Sequence, residues 1–378
     1  MKKAIYAFSA DPITDGHINI IERAAKIFDV VYAAIGINQE KEYTFSLNER
    51  IAMAKNSLKS MNNVKVVSFK GLLVDYAYEH NIPIIIKGIR NIDDFNYEKN
   101  LHITGKSQKL GVDTFILFSK PELSHVSSKV MKLVQKEHGL IHEYVPLHSK
   151  QALEEEISGQ YILGITGEMG SGKTHVCEMM IDIAKKHGID THHIDLDSIG
   201  HQILEDLKEP QYKQIRKIVA ETFGNNVKDN NGMINRKKLG DIVFKDDKQL
   251  KKLNEIMKTP LIVRLRRELY GKEGLILFDV ALVAESDMTP LCNNNILLIT
   301  SDDKTQEKRM RERGLNKEQI KRRLESQYSS KEKKRRIENK IKEYNHGRLW
   351  IMDSSNDIEE KKLEKIFNEI IKELKIKE

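Results

Sequence analysis

The sequence predicts two consecutive α/β domains, each a parallel sheet with helices wound over both faces. Three observations lead there. Strand-length apolar runs alternate with segments of helical spacing along most of the chain. The runs are apolar almost without interruption, as parallel strands buried on both faces are. In each half, the first such run leads straight into a motif suited to phosphate: Ser9-Ala10-Asp11-Pro12-Ile13-Thr14-Asp15-Gly16-His17, and Gly167-Glu168-Met169-Gly170-Ser171-Gly172-Lys173-Thr174.

The elements follow in order. Ala4 to Phe8 reads as a strand, and His17 to Phe28 has helical apolar spacing. Val30 to Ile37 is a buried strand, residues 48–58 a helix, 64–69 a strand and 73–80 a helix. Ile82 to Ile86 reads as a further strand, followed by Lys87-Gly88-Ile89-Arg90. Residues 94–110 are helical, 114–118 form the last strand of this half, and Ser127-Ser128 opens another helix. This βαβα rhythm predicts a doubly wound sheet. A short helical tail, 151–158, leads to a junction at Ser158-Gly159-Gln160, so the expected domains are 1–158 and 159–378. The second series has strands at 161–166, 191–195, 275–280 and 296–300, then a charged helical region over 303–342.

Composition narrows the classes. A chain of 378 residues is too long for one ordinary core. The 63 basic and 56 acidic residues leave +7, a modest excess that suits anionic substrates and does not by itself imply nucleic acid. Two distant cysteines, Cys177 and Cys292, exclude a disulfide framework and fit a reducing, cytoplasmic setting. The early apolar run is broken by Asp11-Pro12, which argues against a signal peptide, and no apolar run reaches membrane-spanning length.

The central motif is a P-loop. Glycines at its first and sixth positions, Gly167 and Gly172, let the backbone curl around phosphate oxygens, with Gly170 and Ser171 between them. Its N–H groups and the following helix start bind the anion. Lys173 supplies a positive charge to a transferred phosphoryl, and Thr174 a hydroxyl ligand for Mg²⁺. Asp195 and Asp197 follow at a strand end, where a carboxylate could accept the proton of an attacking hydroxyl or cap the next helix. Arg309 and Arg313 share one helical face and could close over a triphosphate.

At the other end, Thr14-Asp15-Gly16-His17 begins a helix, where the dipole and an imidazole can stabilise charge on an attacked phosphate. Ser9, Lys41, Lys87, Arg90 and Ser127-Ser128 all fall near expected strand ends, where open α/β sheets bind ligands.

The first half resembles bacterial-type phosphopantetheine adenylyltransferase from Lys3 to about Glu156. The resemblance rests on Asp11 to His17, Phe45-Ser46-Leu47-Asn48-Glu49-Arg50, Lys87 to Arg90, Asp94 to Glu98 and Val126-Ser127-Ser128. It implies a Rossmann-like nucleotidyltransferase sheet. Ser9 and His17 would contact the reacting phosphates, and Lys41 the phosphate of 4′-phosphopantetheine. Lys87 would join the substrate contacts, and Leu72 and Leu73 would line the pantetheine arm. Arg90, Tyr97, Glu98 and Ser127-Ser128 would hold ATP. Phe8 stands where the family has glycine, Ala10 where it has an aromatic residue, and Lys87 where it has arginine.

The second half resembles dephospho-coenzyme A kinase from about Tyr161 to Phe367. The P-loop, Asp195-Leu196-Asp197, Arg236 to Phe244, Phe278 to Glu285 and the Arg323–Gln327 pair carry it. It implies a P-loop kinase fold with a helical subdomain and lid, with Asp197 as the base and Asp195 among the substrate contacts. Glu168 replaces a P-loop glycine, Thr259-Pro260 a His-Pro, and Ala281 a proline.

Together these predict a bifunctional enzyme acting on ATP, 4′-phosphopantetheine and dephospho-coenzyme A with Mg²⁺, without nucleic acid or membrane as partner. The resemblance allows a homo-oligomer built through the N-terminal domain. The same two-module layout would serve a nicotinamide mononucleotide adenylyltransferase joined to a ribosylnicotinamide kinase, though the 45–50 and 87–90 segments are of the pantetheine type. A non-catalytic nucleotide-binding protein is the third reading. The basic 331–342 stretch lacks the aromatic interleaving of a nucleic-acid surface.

Overall fold

The computed structural model describes residues 1–37, 41–243, 246–325, 327–356 and 358–376, with the backbone alone at Asp247. The chain divides into two compact units, 1–157 and 158–378. Phe244 of the second resemblance lies outside the described residues.

Unit 1 runs β1 (Lys3–Phe8), α1 (Asp15–Ala25), β2 (Val30–Gly36), α2 (Leu47–Leu58), β3 (Val64–Phe69), α3 (Leu73–Glu79), β4 (Ile84–Ile89), α4 (Ile92–Ser107), β5 (Asp113–Phe118), α5 (Ser128–Lys136) and α6 (Leu147–Ser158). The sheet order is β3-β2-β1-β4-β5, every pair parallel. The chain winds outward from β1 to β3, returns beside β1 as β4, and so creates a switch point between β1 and β4. Ile5, Val31, Ala33, Ile35 and Ile86 are fully buried, which is why these runs read as apolar throughout.

Capping explains the start of α2. Ser46 and Glu49 form a reciprocal box at α2: Ser46 N–H donates to Glu49 Oε2 at 2.8 Å, and Glu49 N–H to Ser46 Oγ at 3.3 Å. The Phe45–Arg50 motif is thus partly a folding signal, and Phe45 beside the cap is buried.

Strand β4 departs from expectation. It begins two residues later and continues through Lys87-Gly88-Ile89, paired with Ile116, Leu117 and Phe118 of β5. Pro83 cannot donate to a ladder, and Gly88 is a packing glycine: a Cβ there would meet Ile20 at 2.9 Å. Sequence alone read that Lys-Gly pair as a strand exit. The tail helix also starts earlier, at Leu147.

Unit 2 runs β6 (Gln160–Gly167), α7 (Lys173–Lys186), β7 (Thr191–Asp195), α8 (Leu196–Glu205), α9 (Pro210–Phe223), α10 (Arg236–Val243), α11 (Asp247–Leu269), β8 (Gly274–Asp279) and β9 (Asn295–Thr300). It ends with α12 (Asp303–Glu312), α13 (Lys317–Glu325), α14 (Ser330–Tyr344), β10 (Arg348–Asp353) and α15 (Glu360–Leu374). The parallel order is β10-β9-β6-β8-β7, with the P-loop strand at the centre. The expected helical region over 303–342 is three helices. Gly314, at φ 80°, follows the first, and Ser329 caps the third. Strand β10 was not foreseen. It pairs with β9 through Trp350 and Met352, both buried, while Arg348 and Asp353 at its ends are exposed.

Candidate active sites

In unit 1 a cleft of about 510 Å³ opens among Ser9, His17, Lys41, Arg90, Ser127 and Ser128. It lies at the carboxyl ends of β1 and β4, where helix starts and strand ends converge. His17 is the third residue of α1, and its imidazole completes the cap: Nδ1 accepts the Thr14 N–H at 3.0 Å and lies 2.9 Å from Thr14 Oγ1. A ring nitrogen accepting a backbone N–H carries no proton, so the neutral ring bears its proton on Nε2. Loss of hydration, then the nearby Arg90 charge, push the His17 pKa down to about 4. The ring is therefore a neutral donor at physiological pH.

Phe8, in place of the family's glycine, packs its ring 5.0 Å from that of His17 and stacks 5.2 Å from that of Tyr6. Ala10 is fully buried with φ 54°, a backbone turn that a bulkier residue would crowd. The exchange of bulk between these near neighbours gives the imidazole a wall.

Two buried charged groups shape this cleft, and sequence reading gave neither a role. Asp11 accepts the Phe45 N–H at 2.9 Å and the Thr44 N–H at 3.2 Å, and pairs with Lys132 at 2.6 Å. Arg50, 2% exposed, donates to the carbonyls of Ser9 at 2.7 Å and Gly36 at 3.3 Å, and lies over the Tyr43 ring at 3.8 Å. Together they tie residues 43–45 to the loop that follows β1. Arg50 shares its expected helix with Glu49 and Lys55, so its charge alone did not single it out.

Arg90 is gripped by Asp94 through Nε at 2.8 Å and Nη2 at 3.2 Å. Its hydrogen bonds hold the Asp94 carboxyl below the usual range. Ser127 caps α5 by accepting the Val130 N–H, and Ser128 donates to the Pro12 carbonyl at 2.8 Å. Lys87 is paired with Glu98 at 2.8 Å, and neither lines the cleft. Leu72, Leu73 and Tyr97 are also outside its lining, and Leu72 and Tyr97 are well exposed.

In unit 2, Gly167, Gly170 and Gly172 take φ 159°, 79° and 87°, as a loop curled around an anion requires. Lys173 begins α7, and its ammonium folds back to the carbonyls of Gly167 at 3.2 Å and Glu168 at 3.4 Å. Ser171 is buried in the loop. Thr174, Gly172, Arg309 and Arg313 line one cavity of about 310 Å³. Arg309 donates to the Gly170 carbonyl at 3.2 Å and the Ser354 carbonyl at 2.8 Å.

Glu168 has a defined partner set. Its Oε2 accepts from Gln306 of α12 at 3.0 Å and from Ser330 of α14 at 2.7 Å. Gln327 accepts the Met169 N–H at 3.0 Å. A side chain at this position fastens the loop to the helices above it, which glycine could not do.

The two acids where β7 passes into α8 differ. Asp195 caps α8 by accepting the Ser198 N–H at 3.0 Å. Asp197, on the first turn of α8, is exposed, yet enough protein crowds its carboxyl that lost hydration pushes its pKa up to about 6, against the attraction of Lys173. A carboxylate of that pKa suits proton transfer near neutrality.

Comparison with known proteins agrees with this division. Residues 161–348 match the family model described as Dephospho-CoA kinase, and residues 6–162 match Cytidylyltransferase-like. A phosphopantetheine adenylyltransferase of Clostridium perfringens is 39% identical over 158 residues, covering 42% of this chain and 96% of that protein. That of Alkaliphilus metalliredigens is 38% identical over 156 residues, 41% of this chain and 99% of its own length. The solved dephospho-CoA kinase of Campylobacter jejuni aligns with 57% of this chain and 97% of its own at 20% identity and a TM-score of 0.34, too slight a likeness to weigh. The chain therefore belongs to the phosphopantetheine adenylyltransferase family through its first unit and carries a dephospho-CoA kinase domain in its second.

Proposed function

We propose that the chain performs the last two steps of coenzyme A biosynthesis. In the first, the phosphate of 4′-phosphopantetheine attacks the α-phosphorus of ATP, giving dephospho-coenzyme A and pyrophosphate. In the second, ATP phosphorylates the ribose 3′-hydroxyl of that product. The observation that carries the reading is the presence of both families on one chain, since the product of one is the substrate of the other.

In unit 1 the reaction needs no protein nucleophile, only positioning and charge stabilisation. His17 offers its Nε2–H to oxygens of the reacting phosphates, aided by the start of α1 and by Ser9. Lys41 holds the acceptor's phosphate. Arg90, fixed by Asp94, and the Ser127-Ser128 helix start hold ATP. Lys87 and Glu98, ion-paired to each other, belong to the rim, with Tyr97 toward the nucleotide and Leu72 and Leu73 toward the pantetheine arm.

In unit 2 the P-loop amides, Lys173, Arg309 and Arg313 bind the triphosphate. Asp197 takes the proton of the 3′-hydroxyl, and Asp195 keeps that strand end in place. The exposed Thr174 hydroxyl, on the first turn of α7, is a hard oxygen donor of the kind Mg²⁺ takes. When bound, that ion neutralises charge on the phosphates. One incubation tests the reading. With ATP, Mg²⁺ and 4′-phosphopantetheine, mass analysis should find coenzyme A, with dephospho-coenzyme A as intermediate. Absence of both would reject it, and turnover of nicotinamide mononucleotide instead would favour the other two-module enzyme.

A further inference from the structure

Strand alternation and register bring three metal-ligating side chains together on one face of the second sheet. His193 of β7 pairs in register with Leu277, and Asp195 with Asp279 of β8. Paired residues point to the same face, and so do residues two apart. His193, Leu277 and Asp279 therefore share a face. Leu275 and Leu277 pack there with Val176, Cys177 and Met180 of α7, so the helix after the P-loop lies over it. Cys177 Sγ, a ring nitrogen of His193 and a carboxylate oxygen of Asp279 all lie within 4.8 Å of one another.

Cys177 packs in the core, and Asp279 ends β8 in register with Ile165 of the P-loop strand; none of the three residues is among those assigned above to the reaction. Cys177 is fully buried and is a free thiol. The Asp279 carboxylate is 5% exposed. His193 Nε2 is 3.6 Å from Asp279 Oδ2, close enough to be ion-paired with it when protonated but beyond hydrogen-bond reach, and it is buried with no hydrogen-bond partner among the described residues. A contact that long satisfies the buried nitrogen only in part. Asp195 and Glu178 add negative charge around the cluster, and Lys173 is the opposing cation.

We propose that Cys177, His193 and Asp279 form a binding site for one divalent transition ion of the zinc class. Thiolate, imidazole and carboxylate are the ligands zinc takes, and three protein ligands leave a fourth position for water or a substrate oxygen. Sulfur selects against Mg²⁺ and Ca²⁺, so the site is chemically distinct from that of a kinase's magnesium. Without metal, burial pushes the thiol's pKa up. Binding displaces that proton: Cys177 S–H and the ion give an S–metal bond, and one proton passes to the buffer. The ion would tie α7, β7 and β8 together behind the P-loop and occupy Asp279, whose charge acts on Asp197. It should therefore slow the second reaction while leaving the first alone.

The test uses the full chain and Co²⁺ as a spectroscopic probe, displaced afterwards by Zn²⁺. One equivalent of Co²⁺ should produce thiolate-to-cobalt charge-transfer absorption that Zn²⁺ abolishes. Cys177→Ala should remove the band, and Cys292→Ala should keep it. His193→Gln, at a partly exposed position that folding tolerates better, should weaken binding by at least about tenfold, the least that even an outer partner of a metal site costs. Circular dichroism verifies that each variant is folded. Absence of a thiolate band in the wild-type chain, or a band that survives Cys177→Ala or is unmoved by His193→Gln, overturns the proposal. These readouts do not require either enzymatic activity.

Discussion

At the scale of single residues, the neutral imidazole of His17 makes two measurable demands. Its replacement by alanine should lower adenylyl transfer by ~10²–10³-fold, the usual cost of one transition-state donor. Conversion of supplied dephospho-coenzyme A to coenzyme A should stay normal. An unchanged first step in a folded His17→Ala variant would remove the residue from the mechanism. The ring's proton should also reside on Nε2, and its NMR titration should fall near 4, where burial and Arg90 put it; a midpoint near the ordinary 6.5 would contradict that environment. In unit 2, Lys173→Ala should let dephospho-coenzyme A accumulate from phosphopantetheine, because unit 1 binds its own ATP. Asp197→Asn should block the same step. For the wild-type chain, the rate of that step should climb as pH rises through about 6. The sign for stability is opposite. A carboxyl whose folded pKa is raised stabilises the fold below its unfolded value, and that contribution is lost as pH rises through about 6. Asp197→Asn should therefore melt no lower than wild type at pH 7, and a large drop in Tm would assign Asp197 to the fold instead.

Elements show how chemistry and packing share residues. The His17 ring is both the cap of α1 and the cleft's donor, so the helix start fixes the tautomer. Glu168 joins the P-loop to α12 and α14 through one carboxylate oxygen. Hydrogen bonds to a charged group contribute about 1.5–3 kcal/mol each when partly buried. Glu168→Ala should therefore speed amide exchange at the starts of α12 and α14 by about tenfold or more, with no change in unit 1. Exchange indistinguishable from wild type would mean that these helices are held by other contacts, such as Lys333 with Glu285 and the Ala281 carbonyl.

For the whole molecule, titration should divide the two units. In unit 1, burial depresses His17 and His148 to about 4. Each stabilises the folded state fully above its unfolded pKa, and that contribution is lost as pH falls from about 6.5 toward 4. Asp15, raised to about 6 by burial and Glu22, acts the other way but is a single group. Amide protection across residues 1–157 should thus weaken between pH 6.5 and 4, and protection that rises in this window would refute the accounting.

The sequence by itself determined that there are two parallel α/β sheets, where each begins, and which loop of each carries a motif suited to phosphate. Those signals are local: apolar runs, glycines that permit a left-handed turn, and a histidine three residues past a cap. Lys87 and Gly88 were harder, because strand membership there depends on a partner strand and on Ile20. Arg50, Asp11, the Glu168 contacts and the Cys177–His193–Asp279 cluster were decided by tertiary structure alone. Each joins residues distant in the chain through strand register and helix packing, and a side chain's partner across a sheet leaves no periodic trace in its own neighbourhood.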